Sequence, residues 1–127
     1  MTKYSSSLED FKEAVVRLEE VLMQEKNEFM RDAAIKRFEI AFDLSWKTLK
    51  AYLERSALFC VSPLACFKEA FRQNLLASHD EWMEIVEMRN KTVHTYDEKL
   101  AEEVYTSLPK ALTAFQQLLR VLSSVKI

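Results

Sequence analysis

No glycine occurs anywhere in these 127 residues, and only two prolines do. Tight β-hairpins place residues at positive φ, where glycine costs least, so a β-rich fold is disfavoured from the outset. Helix is what remains. Hydrophobic residues make up 49% and charged residues 30%, the balance of a globular chain rather than a disordered one. The length suits one domain, residues 1–127, with a real core. No apolar run approaches the ~20 residues of a membrane span. The start, MTKYSSSLEDFKEA, has no apolar stretch of the secretory kind, so a cytoplasmic protein is expected.

Apolar spacing divides the chain into four long helices and a short one. The first is predicted over about Leu8–Lys26, capped by Ser7 with Asp10 three residues on. Asn27 is its expected left-handed stop, and Leu8, Phe11, Val15, Leu18 and Leu22 form its stripe. The second, about Ala33–Arg55, carries Ile35, Phe38, Phe42, Trp46, Leu49 and Leu53 on one face. Ile40, Leu44 and Ala51 lie opposite, as a partner surface or beneath a shorter helix. Ser62-Pro63 reads as cap and first turn of a short third helix marked by Leu64, Phe67, Phe71 and Leu75. Ser78 with Glu81 opens a fourth, whose face is Trp82, Ile85, Val86 and Val93. The fifth starts near Thr95–Asp97 and runs through Leu100, Val104, Leu108, Ala111, Leu112, Phe115, Leu118 and Leu122. A kink or brief break is expected at Pro109, and fraying over the last five residues. The fold class is therefore all-α: an antiparallel four-helix up-and-down bundle with an additional short helix.

Chemistry concentrates where the fourth helix ends, in Arg89-Asn90-Lys91-Thr92-Val93-His94-Thr95-Tyr96. His94 is one of two histidines, and imidazole is the side chain that titrates closest to neutral pH, suited to general acid or base work. Arg89 adds a permanent planar cation able to grip phosphate with two hydrogen bonds. It falls within the apolar stripe of its helix, about 20° from Trp82, where an unpaired charge is costly. Either it pairs with Glu39 or Asp43, or it meets a ligand in a cleft. His94 lies about 140° further round an ideal helix. The two side chains converge only if the helix distorts between them or a second subunit supplies one. The polar, β-branched run Thr92–Thr95 weakens the helix there and permits the first.

Net charge is −2, with 18 basic against 20 acidic residues, which argues for a local phosphate site and against a broad nucleic-acid face. Cys60 and Cys66, with no further cysteine and no histidine nearby, are too few for structural zinc, so buried free thiols are expected. His79, fifteen residues from His94 and outside any Glu-x-x-His arrangement, offers no metal site either. Without glycine there is no phosphate-binding loop, so the chain is not itself a nucleotidyltransferase, and no cofactor is expected. The Trp and Phe stripes follow helical periodicity and belong to the core.

Arginine, a polar residue, three further positions and histidine resemble the Arg-x4-6-His signature of HEPN domains. RNKTVHTYDE, with FEIAFDLSWKTLKAYLE upstream and SPLACFKEAFRQNLL between, is similar to the branch called nucleotidyltransferase substrate-binding proteins, over about residues 8–122. The resemblance implies a helical homodimer that brings two Arg/His motifs to one cleft, and a partner, an MNT-type nucleotidyltransferase. It implies a toxin–antitoxin pair in which the HEPN protein is a metal-independent RNase, with Arg89 and His94 catalytic and Asn90 and Lys91 positioning phosphate or helping to hold the motif. It also implies that the antitoxin transfers AMP to Tyr96. Other members of the branch are binding subunits with no nuclease activity, which leaves a non-catalytic substrate- or nucleotide-binding role as the alternative.

Overall fold

The computed structural model describes residues 2–125. Its elements are α1 (Lys3–Leu22), α2 (Glu28–Glu54), α3 (Pro63–Arg72), α4 (His79–Lys91), a 3-10 turn (Thr92–His94) and α5 (Glu98–Ser124). Four long helices and one short one, joined by brief connections, form the expected bundle. α1 packs on α2 and α5; α4 packs on α5 and on α3, which itself leans against α2.

Both of the first helices begin five residues earlier than the apolar stripes imply. Thr2 caps α1 through a reciprocal box with Ser5. Tyr4 then buries its ring and donates its hydroxyl to the Leu122 carbonyl at 3.1 Å. That long-range contact outweighs the poor helix propensity of Ser5-Ser6-Ser7. Asn27 is no left-handed stop. It is extended at φ −146°, and its side chain accepts from the Met30 amide as the cap of α2. Left-handed backbone falls instead on Ala57 (φ 58°) and Asn74 (φ 61°), which do a glycine's work at the ends of α2 and α3.

α3 keeps its cap, with Ser62 accepting from the Ala65 amide, but not its predicted face. Cys66, Phe67 and Ala70 are buried, while Leu64 and Phe71 are exposed. Leu75 is buried beyond the helix end, its amide bonded back to the Ala70 carbonyl. Of the second apolar strip on α2, Ala51 is covered, Leu44 is half-buried and Ile40 remains exposed beside α1. α5 is unbroken across Pro109. Ser123 and Ser124 are helical rather than frayed, and the last two residues lie outside the described ones.

The cysteines are buried, as expected of them, but they are not free. Cys60 and Cys66 form a disulfide with Cα atoms 5.2 Å apart. The left-handed turn at Ala57 and the immediate start of α3 at Pro63 fold the connection back on itself. That brings two sulfurs together which sequence spacing alone leaves undetermined.

Aromatic rings meet at the centre of the bundle. Phe115 of α5 lies 6.1 Å from Phe11, 6.0 Å from Phe38 and 5.7 Å from Trp82, tying α1, α2 and α4 together. Trp82 in turn sits 4.8 Å from Phe67 of α3. This packing fixes the azimuth of α4, and with it the direction in which its last turn presents its polar groups.

Candidate active site at the end of α4

Arg89 leaves α4 on the core side, and two carboxylates of α2 receive it. Its Nη1 donates to Glu39 Oε2 at 3.0 Å and to Thr92 Oγ1 at 2.9 Å, and its Nη2 reaches Asp43 Oδ2 at 3.5 Å. The guanidinium also lies 5.9 Å above the Phe42 ring. The side chain retains 24% exposure, so the pair is neither fully buried nor free. Both carboxylates named from helical projection are thus its partners. Thr92 has a role that sequence reasoning missed. Buried, it bonds to the Arg89 carbonyl at 2.7 Å and lies 3.3 Å from Glu39, so that Glu39, Arg89 and Thr92 clamp the end of α4 onto α2. The i,i+3 spacing of Arg89 and Thr92 was the one available signal.

Beyond Lys91 the backbone tightens into the 3-10 turn, then enters α5 under the cap of Asp97, which accepts from the amides of Lys99 and Leu100. This change of winding turns Val93 outward, 65% exposed, where a continuous α-helix would have kept it on the core face. His94 stands exposed on the turn. Its Nδ1 lies 3.3 Å from the Tyr96 hydroxyl, the rings edge to face at 5.9 Å.

Arg89 and Asn90 line a cleft of about 530 Å³ with Phe42, Asp43, Ser62, Pro63, Leu64, Val86 and Val93. His94 is not among its lining residues. The helix distortion therefore does not bring imidazole and guanidinium together: the guanidinium faces α2 and the cleft, the imidazole faces Tyr96 and solvent. Lys91, expected at a phosphate, is bound instead to Glu103 of α5, and that hydrogen bond, ahead of the charges of Glu103 and Glu87, raises its pKa. Asn90 is exposed at the cleft edge. Among the described residues, no three His, Cys, Asp or Glu side chains gather as metal ligands would. Nor, among those residues, is any helix long and apolar enough to cross a membrane.

A second ion network holds the start of α5 behind the turn. Arg31, buried on α2, donates to Glu98 at 2.7 and 3.2 Å, to Glu102 at 3.1 Å and to Asp32 at 3.1 Å; Lys26 joins at Glu102. Glu98 is held below the usual carboxylate range chiefly by Arg31; Glu102 is held down by Lys26 first and Arg31 second. A lowered folded-state pKa gives stability that is present above the ordinary glutamate range and lost as pH falls through the folded value. The double variant Glu98→Gln/Glu102→Gln is thus expected to unfold at lower temperature than wild type at pH 7. The two should converge as pH falls from the ordinary glutamate range through the lowered folded-state values. A gap unchanged across that range in thermal unfolding would show that the network adds nothing.

The architecture, a helical bundle with an arginine and histidine flanking the end of its fourth helix, is that of the HEPN class. The family described as nucleotidyltransferase substrate-binding protein-like matches residues 3–124, and the chain belongs to it. A Haemophilus influenzae protein described as probable ribonuclease HepT is 34% identical over 80 residues. The match covers 59% of this chain, which spans about half (55%) of that relative. A crystal structure from Thermus thermophilus superposes with a TM-score of 0.82 at 35% identity, covering 88% of this chain and 98% of the other. The tri-AMPylated HEPN toxin of Shewanella oneidensis, solved with its MNT antitoxin, shares the fold. Its TM-score is 0.78 at 17% identity, over 98% of this chain and 100% of that one.

Proposed function

We propose that this chain is the HEPN component of a toxin–antitoxin pair with an MNT-type nucleotidyltransferase, and that it cleaves RNA without a metal. Family membership and the identity to a probable ribonuclease support the reading. The observation that carries it is the Tyr96 hydroxyl standing 3.3 Å from His94 Nδ1, on a solvent-exposed turn. With the proton on Nδ1 donated to the Tyr96 oxygen, Nε2 is left free to accept the proton of a ribose 2′-hydroxyl. That oxygen attacks the adjacent phosphorus, the 5′-oxygen leaves with a proton, and a 2′,3′-cyclic phosphate remains. Arg89 acts from its cleft on the charge that grows on phosphorus, with Asn90 at the cleft edge fixing the phosphate. One protomer does not close this arrangement, so the active centre is assigned to the junction of two protomers in a homodimer.

Silencing follows from the same pair of side chains. The Tyr96 oxygen attacks the α-phosphorus of ATP on the nucleotidyltransferase, diphosphate leaves, and the hydroxyl proton passes to solvent. The resulting phosphodiester sits against His94 and obstructs RNA by charge and bulk. With the partner and ATP, intact-mass and peptide analysis should show adenylyl groups on Tyr96 and none on a Tyr96→Phe variant. Undiminished labelling of that variant would remove Tyr96 from this role. Cleavage is tested with purified protein and single-stranded RNA in excess chelator; intact RNA there, together with harmless expression of the chain alone, sinks the nuclease reading.

One observation favours a second reading. Arg89 lies between Glu39 and Asp43, so a phosphate approaching it meets two carboxylates as well as one cation. In that reading the chain binds substrate or nucleotide for the nucleotidyltransferase without turning it over. The same RNA experiment separates the two, because a binding subunit retains partner association while leaving RNA whole.

A further inference from the structure

The disulfide ties the connection after α2 to the first turn of α3, where the helix forms a wall of the Arg89 cleft. Between Cys60 and Cys66 lie Val61, Ser62, Pro63, Leu64 and Ala65, and of these Ser62, Pro63 and Leu64 line the cleft. The strand of chain leading in has little else to hold it. The Leu58 amide is bonded back to Leu53 and the Cys66 amide to Ser62, but among the described residues no hydrogen bond fixes Phe59, Cys60 or Val61. Phe59 and Val61 project into solvent at 76% and 89% exposure, on either side of the buried Cys60. The turn before them runs through Ala57 at φ 58°, a conformation that costs a residue with a Cβ about 1–2 kcal/mol. A poorly bonded segment, entered through an unfavourable turn, is thus held by one covalent link and the burial of one sulfur.

We propose that the Cys60–Cys66 disulfide is a redox-modification site, its co-reactant a thiol reductant, which sets whether the Phe59–Val61 segment, leading into the Ser62–Leu64 wall of the Arg89 cleft, is fixed or free. Cys66 is fully enclosed on α3, whereas Cys60 lies between the exposed Phe59 and Val61, so opening of that segment presents the Cys60 sulfur to the attacking thiolate. The Cys60–Cys66 bond breaks, a mixed disulfide forms, and Cys66 leaves as a thiolate that takes a proton from solvent. A second reductant thiolate attacks the reductant sulfur of the mixed disulfide. Cys60 is released as a thiol, with the reductant oxidised to its own disulfide: two electrons and two protons enter the protein. The Cys66 thiol stays in the apolar cluster around Phe67 as a small hydrophobic group, so the bundle stays folded, while Cys60 is free to leave with its segment. Oxidation ties the segment down again. This inference stands on the loop and cleft geometry and does not require the nuclease reading.

Hydrogen–deuterium exchange on the purified full-length protein, with and without dithiothreitol, is the test. Reduction is expected to speed exchange about tenfold in peptides covering residues 58–66 and to leave α1 and α5 unchanged, with reversal on reoxidation. Cys60→Ala/Cys66→Ala should show the fast loop without reductant; if that variant does not fold, the reduced wild type decides alone. Three results overturn the proposal: both cysteines alkylating in the denatured, unreduced protein; loop exchange indifferent to reduction; or acceleration throughout the bundle, which would make the bond a global staple. None of these readouts involves RNA, so they hold or fail apart from the catalytic assignment.

Discussion

His94→Ala is expected to slow RNA cleavage by about 10²–10⁴-fold, the usual worth of a positioned general acid or base. The chain should also become harmless when expressed alone. His94 is exposed, and its one described side-chain contact is the edge-on Tyr96 ring, so the substitution should leave stability within about 0.5 kcal/mol of wild type. Loss of rate therefore reports chemistry and not unfolding, provided thermal unfolding is measured on the same preparations. Tyr96→Phe is the companion variant. It removes the hydroxyl that orients the imidazole but keeps the ring, so its loss should be smaller than that of His94→Ala. A His94→Ala protein cutting RNA within tenfold of wild type would end the assignment of proton transfer to this residue. Arg89 is a poorer probe, because truncating it strands Glu39 and unpins the end of α4, so lost activity would not separate catalysis from positioning.

The largest loss of stability is expected from Phe115→Ala, about 3–5 kcal/mol. Phe115 is fully enclosed, and its ring meets Phe11, Phe38 and Trp82 from three other helices. Truncation opens a cavity that close-packed neighbours fill only in part, so the cost includes lost dispersion contacts as well as lost burial. For a domain of this size the melting temperature should fall by roughly 10–20 °C, and Phe115→Leu by much less. A decrease under about 1 kcal/mol would mean that the ring is not the keystone its four-helix contacts imply. Because Trp82 sets how α4 turns, surviving Phe115→Ala protein should also show faster exchange around Thr92 and His94.

How much of this was legible beforehand follows from which interactions are local. Helix caps at Ser62 and Ser78 were readable because a cap acts over two or three residues. The pairing of Arg89 with Glu39 and Asp43 was readable too, since projection on two amphipathic helices leaves few carboxylates within reach of a buried cation. The early start of α1 was not. It depends on Tyr4 meeting a carbonyl 118 residues away. Nor was the Lys91–Glu103 pair, whose register depends on how α4 slides against α5.

Absence of glycine and the period of the apolar residues determined an all-α bundle from the sequence, and the order of Arg89, His94 and Tyr96 along the chain marked the candidate site at one helix end. These are properties of neighbours along the chain, and propensity and spacing determine them. Only the tertiary structure decided that Val93 turns outward, that Cys60 and Cys66 are bonded, and that Arg89 lies in a cleft while His94 faces solvent. Each of these depends on a few degrees of helix rotation or one residue of winding. Side chains distant in sequence set those quantities together when they pack, and no local pattern encodes them.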